Sequence, residues 1–69
     1  MAESVYKIIE LVGSSEKSWE EAARNAVETA SKSLDDIRVA EVVELDMKLD
    51  DSKVMNYRTK VKVSFKYRQ

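Results

Sequence analysis

Two consecutive stretches of polar/apolar alternation leave this chain few folds to choose from. From Arg38 to Asp50, the residues Val39, Val43, Leu45, Met47 and Leu49 fall on one face, and Glu44, Asp46, Lys48 and Asp50 on the other. From Val54 to Tyr67, Met55, Tyr57, Thr59, Val61, Val63, Phe65 and Tyr67 oppose Asn56, Arg58, Lys60, Lys62, Ser64 and Lys66. A period of two held over such lengths belongs to half-buried strands. Asp51-Ser52-Lys53 reads as the hairpin loop between them. The apolar faces must coincide, since a slip of one residue would turn a whole strand over. A three-residue loop sets Leu49 opposite Met55, Met47 opposite Tyr57 and Val43 opposite Val61, and a slip by two would keep the same faces. On the charged face Asp46 then meets Arg58 and Glu44 meets Lys60.

The first half of the chain supplies a third strand and a helix. Val5 to Val12 is rich in β-branched and aromatic residues and predicts a strand, ended by Gly13-Ser14-Ser15. Ser18-Trp19-Glu20-Glu21 fits a capping box, in which Ser18 accepts from the Glu21 N–H and the Glu21 carboxylate reaches back to Ser18. The helix is expected to run to about Leu34, with Trp19, Ala22, Ala23, Ala26, Val27, Ala30 and Leu34 as its apolar stripe. Arg24, Glu28 and Lys32 lie four apart on its wet face. The class is therefore α+β with element order β-α-β-β. With one Gly and no Pro to break it, the chain reads as a single domain over 1–69.

Size and composition narrow the functions. A chain of 69 residues buries only about 60% of its unfolded surface, and small domains compensate with disulfides, metals or oligomerisation. There is no Cys and no His, which removes disulfides, thiolate catalysis, His-based triads and the usual zinc ligands. Long strands with one helix cannot close a core by themselves, so assembly with copies of itself is the expected remedy. Twelve Lys and Arg balance 13 Asp and Glu, for a formal net charge of -1. That gives no general pull toward nucleic acid or an anionic membrane. No apolar run approaches the ~20 residues of a membrane span, and no basic-then-apolar start marks export. The expected location is the cytoplasm.

The groups that could carry chemistry each have a plainer role. The ladder Arg58, Lys60, Lys62 and Lys66 is neutralised by Glu44, Asp46 and Asp50 on the adjoining strand, and reads as a solvated or intersubunit salt-bridge face and not as a nucleic-acid site. Glu10, Glu41 and Glu44 are not accompanied by a nucleophile and base, so the chain reads as no enzyme. Asp35-Asp36 stands out. Carboxylates at a helix C-terminus are disfavoured, and that cost calls for basic side chains of a neighbouring subunit or a hard cation, Ca²⁺ or Mg²⁺. Two acids cannot complete a Ca²⁺ shell, so copies of the chain would have to share the ion.

The chain resembles the dodecin family. The likeness rests on Val5-Tyr6-Lys7-Ile8-Ile9-Glu10-Leu11-Val12-Gly13-Ser14-Ser15, then Ser18-Trp19-Glu20-Glu21-Ala22, Glu41-Val42-Val43-Glu44 and Val61-Lys62-Val63-Ser64-Phe65, in order over essentially the whole chain. The resemblance implies a three-stranded antiparallel sheet partly wrapping one helix, in a hollow homododecamer of cubic symmetry. It implies a non-enzymatic binding or storage role, in most members for flavins. The family pocket stacks the flavin on a Trp and holds its edge with a Gln. Here Val39 stands at the Trp position and Arg58 at the Gln position, while Glu44 keeps a carboxylate. Flavin binding is therefore expected to be weak or absent, and the pattern is similar to a divergent branch described as binding calcium. A flavin-storing shell using other contacts and a purely structural assembly are the alternatives.

Overall fold

The computed structural model describes residues 4–67; of the expected domain 1–69, residues 1–3 and 68–69 lie outside it. The order is β1 (Tyr6–Ser15), α1 (Trp19–Ala30), β2 (Ile37–Asp50) and β3 (Lys53–Lys66). The strands form one antiparallel sheet in the order β1-β3-β2, so the last strand is the central one. No helix among the described residues is long and apolar enough to cross a membrane.

The strand β1 does not end at Val12. It continues through Gly13, Ser14 and Ser15, which pair with Thr59, Arg58 and Tyr57. Gly13 serves packing and not a turn. A Cβ there would lie 2.0 Å from the Ala22 carbonyl oxygen and 2.9 Å from the Ala26 Cβ. The alanine stripe thus brings α1 down onto β1 at a point where the strand has no side chain. Ala22, Ala26 and Ala30 are buried, as are Val61 and Val63 of β3, and Ile9, Leu11, Val27, Leu34 and Ile37 pack around them.

The helix starts where expected. Ser18 caps it, accepting from the Glu21 N–H at 3.0 Å. The return arm of the box differs: the Glu21 carboxylate accepts from the Ser15 hydroxyl at 2.8 Å, and Ser15 Oγ in turn accepts from the Ser18 N–H at 3.4 Å. The helix stops at Ala30, short of the expected Leu34. Lys32 and Ser33 donate to carbonyls three residues back, and the Ser31 hydroxyl donates to the Glu28 carbonyl. Serine hydroxyls that satisfy the last carbonyls compete with another helical turn.

The hairpin keeps the expected ladder in its middle and departs from it at both ends. Met47 faces Tyr57, Asp46 faces Arg58 and Glu44 faces Lys60. The loop, however, is a two-residue turn, with Asp50 opposite Lys53 and positive φ at Asp51 (51°) and Ser52 (63°). This is the twist that suits a tight hairpin. The missing loop residue reappears as an irregularity after Lys48, so Leu49 pairs with Val54 and not with Met55. A second irregularity between Val42 and Glu44 sets Val42, not Val43, opposite Val61. A third, between Ile37 and Val39, leaves Arg38 out of the ladder. Each extra residue reverses the parity of the strand beyond it. Val39 therefore pairs with Ser64 on the charged face, not with the face of Leu45 and Met47. Bulges also bend and twist a strand, which lets a 14-residue β2 curve around a 12-residue helix.

The result is long and open. Its extents are 54 × 20 × 16 Å and its radius of gyration is 14.3 Å, against about 11 Å for a globule of this length.

Candidate functional site

The face of the sheet away from α1 is organised by β3. Arg58, Lys60 and Lys62 run down its centre, with Ser14, Val12 and Glu10 opposite on β1, and Asp46, Glu44 and Glu41 opposite on β2. Arg58 and Asp46 form a two-pronged pair, Nε to Oδ1 at 2.7 Å and Nη2 to Oδ2 at 2.9 Å. Lys60 Nζ lies 3.3 Å from Glu44 Oε1, and Lys62 Nζ lies 3.8 Å from Glu10 Oε2. Acids on both flanking strands thus compensate the basic ladder. The hydrogen bond from Arg58 holds the Asp46 carboxyl below its ordinary range, against a smaller opposing effect of desolvation, and Asp46 raises Arg58 in return.

The sign of the Asp46 shift makes a pH prediction. A carboxyl whose folded pKa is depressed adds stability that is present above its unfolded value, near 3.9, and is lost as pH falls through the folded one. Asp46→Asn is expected to flatten the acid limb of the stability curve below about pH 4. The two proteins should differ most near neutrality and in low salt, because the pair is exposed and screened. Urea midpoints between pH 2 and pH 7 measure this, and parallel acid limbs would contradict it.

Val39, Glu44 and Arg58 all lie on this charged face, but one chain does not gather them. Val39 is level with Ser64, Glu44 with Lys60, and Arg58 with Asp46. Along β3 the positions of Val39 and Arg58 are about 20 Å apart, at ~3.3 Å per residue. Arg58 already spends two N–H groups on Asp46, and Val39 is exposed with no ring to stack on a ligand.

The acidic pair sits elsewhere. Because α1 ends at Ala30, Asp35 and Asp36 lie beyond its last turn, where the helix dipole has faded. The conflict that singled them out in the sequence is therefore relieved by the early helix end. They line a hollow of about 580 Å³ with Ser33, Leu34, Phe65 and Lys66. Asp36 has φ 63° and accepts from Arg38 Nε of its own chain at 2.6 Å. That hydrogen bond raises the Arg38 pKa. Among the described residues no group of three or more His, Cys, Asp and Glu is placed to hold a metal ion. Ca²⁺ takes six to eight oxygens, so the described acids of one chain do not complete its shell.

A third feature is not legible in the sequence. Trp19, at the start of α1, donates from Nε1 to the Asp46 carbonyl at 2.9 Å. Its ring meets Tyr57 edge-on at 5.0 Å, and the Thr59 hydroxyl donates to its carbonyl at 2.9 Å. One residue thus ties the helix to β2 and β3. The helical stripe marks Trp19 as packing but cannot name its partners 27 and 40 residues away.

The sequence model of the dodecin family matches residues 5–68. The chain belongs to the dodecin family. It is 54% identical over 65 residues to the calcium dodecin of Mycobacterium tuberculosis, spanning 94% of this chain and 92% of that one. The crystal structure of that protein, described as having a novel calcium-binding site, matches with a TM-score of 0.85, covering 94% of this chain and 93% of that chain. The dodecin of Streptomyces coelicolor matches with a TM-score of 0.91 at 29% identity, over 100% of this chain and 99% of that chain. A variant of the Thermus thermophilus dodecin matches with a TM-score of 0.88 at 33% identity, over 97% and 100%. The β-α-β-β dodecin fold is thereby established, with the three-stranded antiparallel sheet on one helix.

Proposed function

We propose that this dodecin is a protomer of a closed homododecameric shell that binds and stores a ligand without catalysing a reaction, and that its ligand is a hard cation and not a flavin. The observation that carries the assembly is the apolar surface left over. Leu45, Met47, Leu49, Val54 and Met55 of the β2–β3 arm are each about half exposed. The chain exposes 5535 Å², where a compact monomer of its mass would expose about 4,400 Å². The excess, about 1,100 Å², is larger than the ~800 Å² that one partner contributes to an ordinary stable interface.

The cation reading is supported by the calcium dodecin at 54% identity. The described residues of one chain do not supply a Ca²⁺ shell, so the ion belongs to the assembly, with Asp35 carboxylates of several copies brought together. Asp36 is held by Arg38 of its own chain. Mg²⁺ is the competing ion. The weakness toward flavin comes from Val39, which offers no stacking surface, and from Arg58, which has only donors and has spent two of them on Asp46.

Thermal midpoints of dialysed protein test this reading. Chelator should lower the midpoint, excess Ca²⁺ should restore it, and Asp35→Asn should abolish the response. Riboflavin added to the same protein should show no submicromolar quenching of its fluorescence. An unresponsive midpoint would overturn the cation reading, and tight quenching would establish the flavin-storing one.

A further inference from the structure

We infer that the outer edge of β1 is a docking site for an extended, uncharged segment of another polypeptide, which joins the sheet as an added strand. β1 is an edge strand, paired with β3 alone. The phase of its ladder shows which backbone groups are left over. The Val5 carbonyl accepts from the Tyr67 N–H at 2.8 Å, and the register continues to Ser15 without a shift. Alternate residues of an antiparallel strand turn their N–H and C=O to opposite sides. Lys7, Ile9, Leu11 and Gly13 therefore bond to β3, while Tyr6, Ile8, Glu10, Val12 and Ser14 point outward. The Ser14 carbonyl agrees with this phase, since it accepts from Asn25 Nδ2 of α1 at 3.0 Å. Among the described residues, the outward backbone groups of Tyr6, Ile8, Glu10 and Val12 have no partner.

This open run is about 20 Å long, at ~3.3 Å per residue. A groove of about 430 Å³ lies beside its C-terminal half, between β1 and α1. Ile9, Leu11, Ala26, Ala30 and Leu34 form its apolar side, and no charged residue lines it. On the opposite face of the strand, Ile8 and Val12 are 59% and 54% exposed. A strand laid along this edge would bury alternate apolar side chains on both faces, while its backbone met the unpaired donors and acceptors. Only an extended backbone repeats donor and acceptor at that spacing.

The edge lacks the usual protection. β1 has no Pro and no bulge, and those are devices that blunt exposed edges. The other edge strand, β2, has three register shifts and offers no continuous template. For the same reason β2 of a second copy is a poor occupant. β1 of a second copy does not fill the groove either, because its Ile9 and Leu11 already pack against its own core. An extended segment of a different chain meets neither obstacle.

The probe is a short blocked peptide of alternating valine and threonine carrying a fluorophore, titrated into the purified assembly and followed by anisotropy. Saturable binding is expected. The same peptide with methylated backbone nitrogens keeps its side chains and loses its donors, and should bind about tenfold more weakly. Val12→Pro is the matching change in the protein. It removes an outward N–H and no bond to β3, so native mass should be kept while peptide affinity falls by about tenfold. Hydrogen exchange of the parent, read residue by residue, needs no substitution. The Ile8, Glu10 and Val12 amides should exchange fast in the assembly alone and slowly with peptide, while those of Ile9 and Leu11 stay slow throughout. Slow exchange at Ile8, Glu10 and Val12 without peptide would mean that a second copy already covers the edge. Equal binding of the methylated peptide would mean apolar adsorption. Either result, or no saturable binding, would overturn the proposal and leave the shell and cation readings as they stand.

Discussion

Gly13→Ala is expected to destabilise the protein by a large fraction of its total stability. The added methyl meets the Ala22 carbonyl oxygen at 2.0 Å and the Ala26 Cβ at 2.9 Å. The first is backbone of the helix and cannot swing aside, so relief requires α1 to lift from β1. Lifting it exposes the Ala22, Ala26 and Ala30 stripe that, with Val61 and Val63, makes up the buried core. The cost is about 3 kcal/mol, the upper part of the range for overpacking. A domain of this length is stable by roughly 3–10 kcal/mol. In urea unfolding followed by circular dichroism, the midpoint of the variant should fall by about a third or more. Ser14→Ala, one residue on and exposed, should unfold close to the parent. An unchanged midpoint for Gly13→Ala would mean that the helix is not seated on the strand.

That same glycine shows where the sequence misleads. Gly beside two serines has the composition of a turn, and only the tertiary approach of α1 reveals that the position needs an absent Cβ. The charged face is more transparent. The pairs Asp46–Arg58 and Glu44–Lys60 follow from parity, because opposite charges stand on the same side of adjoining strands, and the irregularity after Lys48 restores the register that the two-residue turn shifts by one. Parity fails at the bulges. The neighbouring valines Val42-Val43 break the alternation within β2, and a bulge there puts Val39 on the charged face. The end of α1 is hidden for a different reason. Leu34 keeps the helical spacing and does pack on the core, but it does so from a turn. With the end misplaced, Asp35-Asp36 has the look of a violated helix terminus.

Trp19→Ala should have the next largest effect, about 3 kcal/mol, as for a large aromatic removed from a packed site. It deletes the edge contact with Tyr57 and the donor to Asp46, and widens the cleft beside Ala23 and Leu45. Trp19→Phe separates these contributions. It keeps a ring beside Tyr57 and loses the N–H, which leaves the Asp46 carbonyl short of a donor at a cost of about 1 kcal/mol. Urea midpoints by circular dichroism should therefore rank the parent above Trp19→Phe, and Trp19→Phe above Trp19→Ala. Equal losses in the two variants would place the whole effect in the hydrogen bond.

Both substitutions act on a chain that, in the proposed reading, is completed by copies of itself. Its core is small, its long arm is apolar and uncovered, and its surface exceeds that of a compact monomer. Native mass spectrometry across a dilution series tests this most directly. A dodecamer persisting to low micromolar concentration, with thermal stability that falls as the protein is diluted, is the predicted result. A folded 7.9 kDa monomer at micromolar concentration, cooperative and indifferent to dilution, would contradict it.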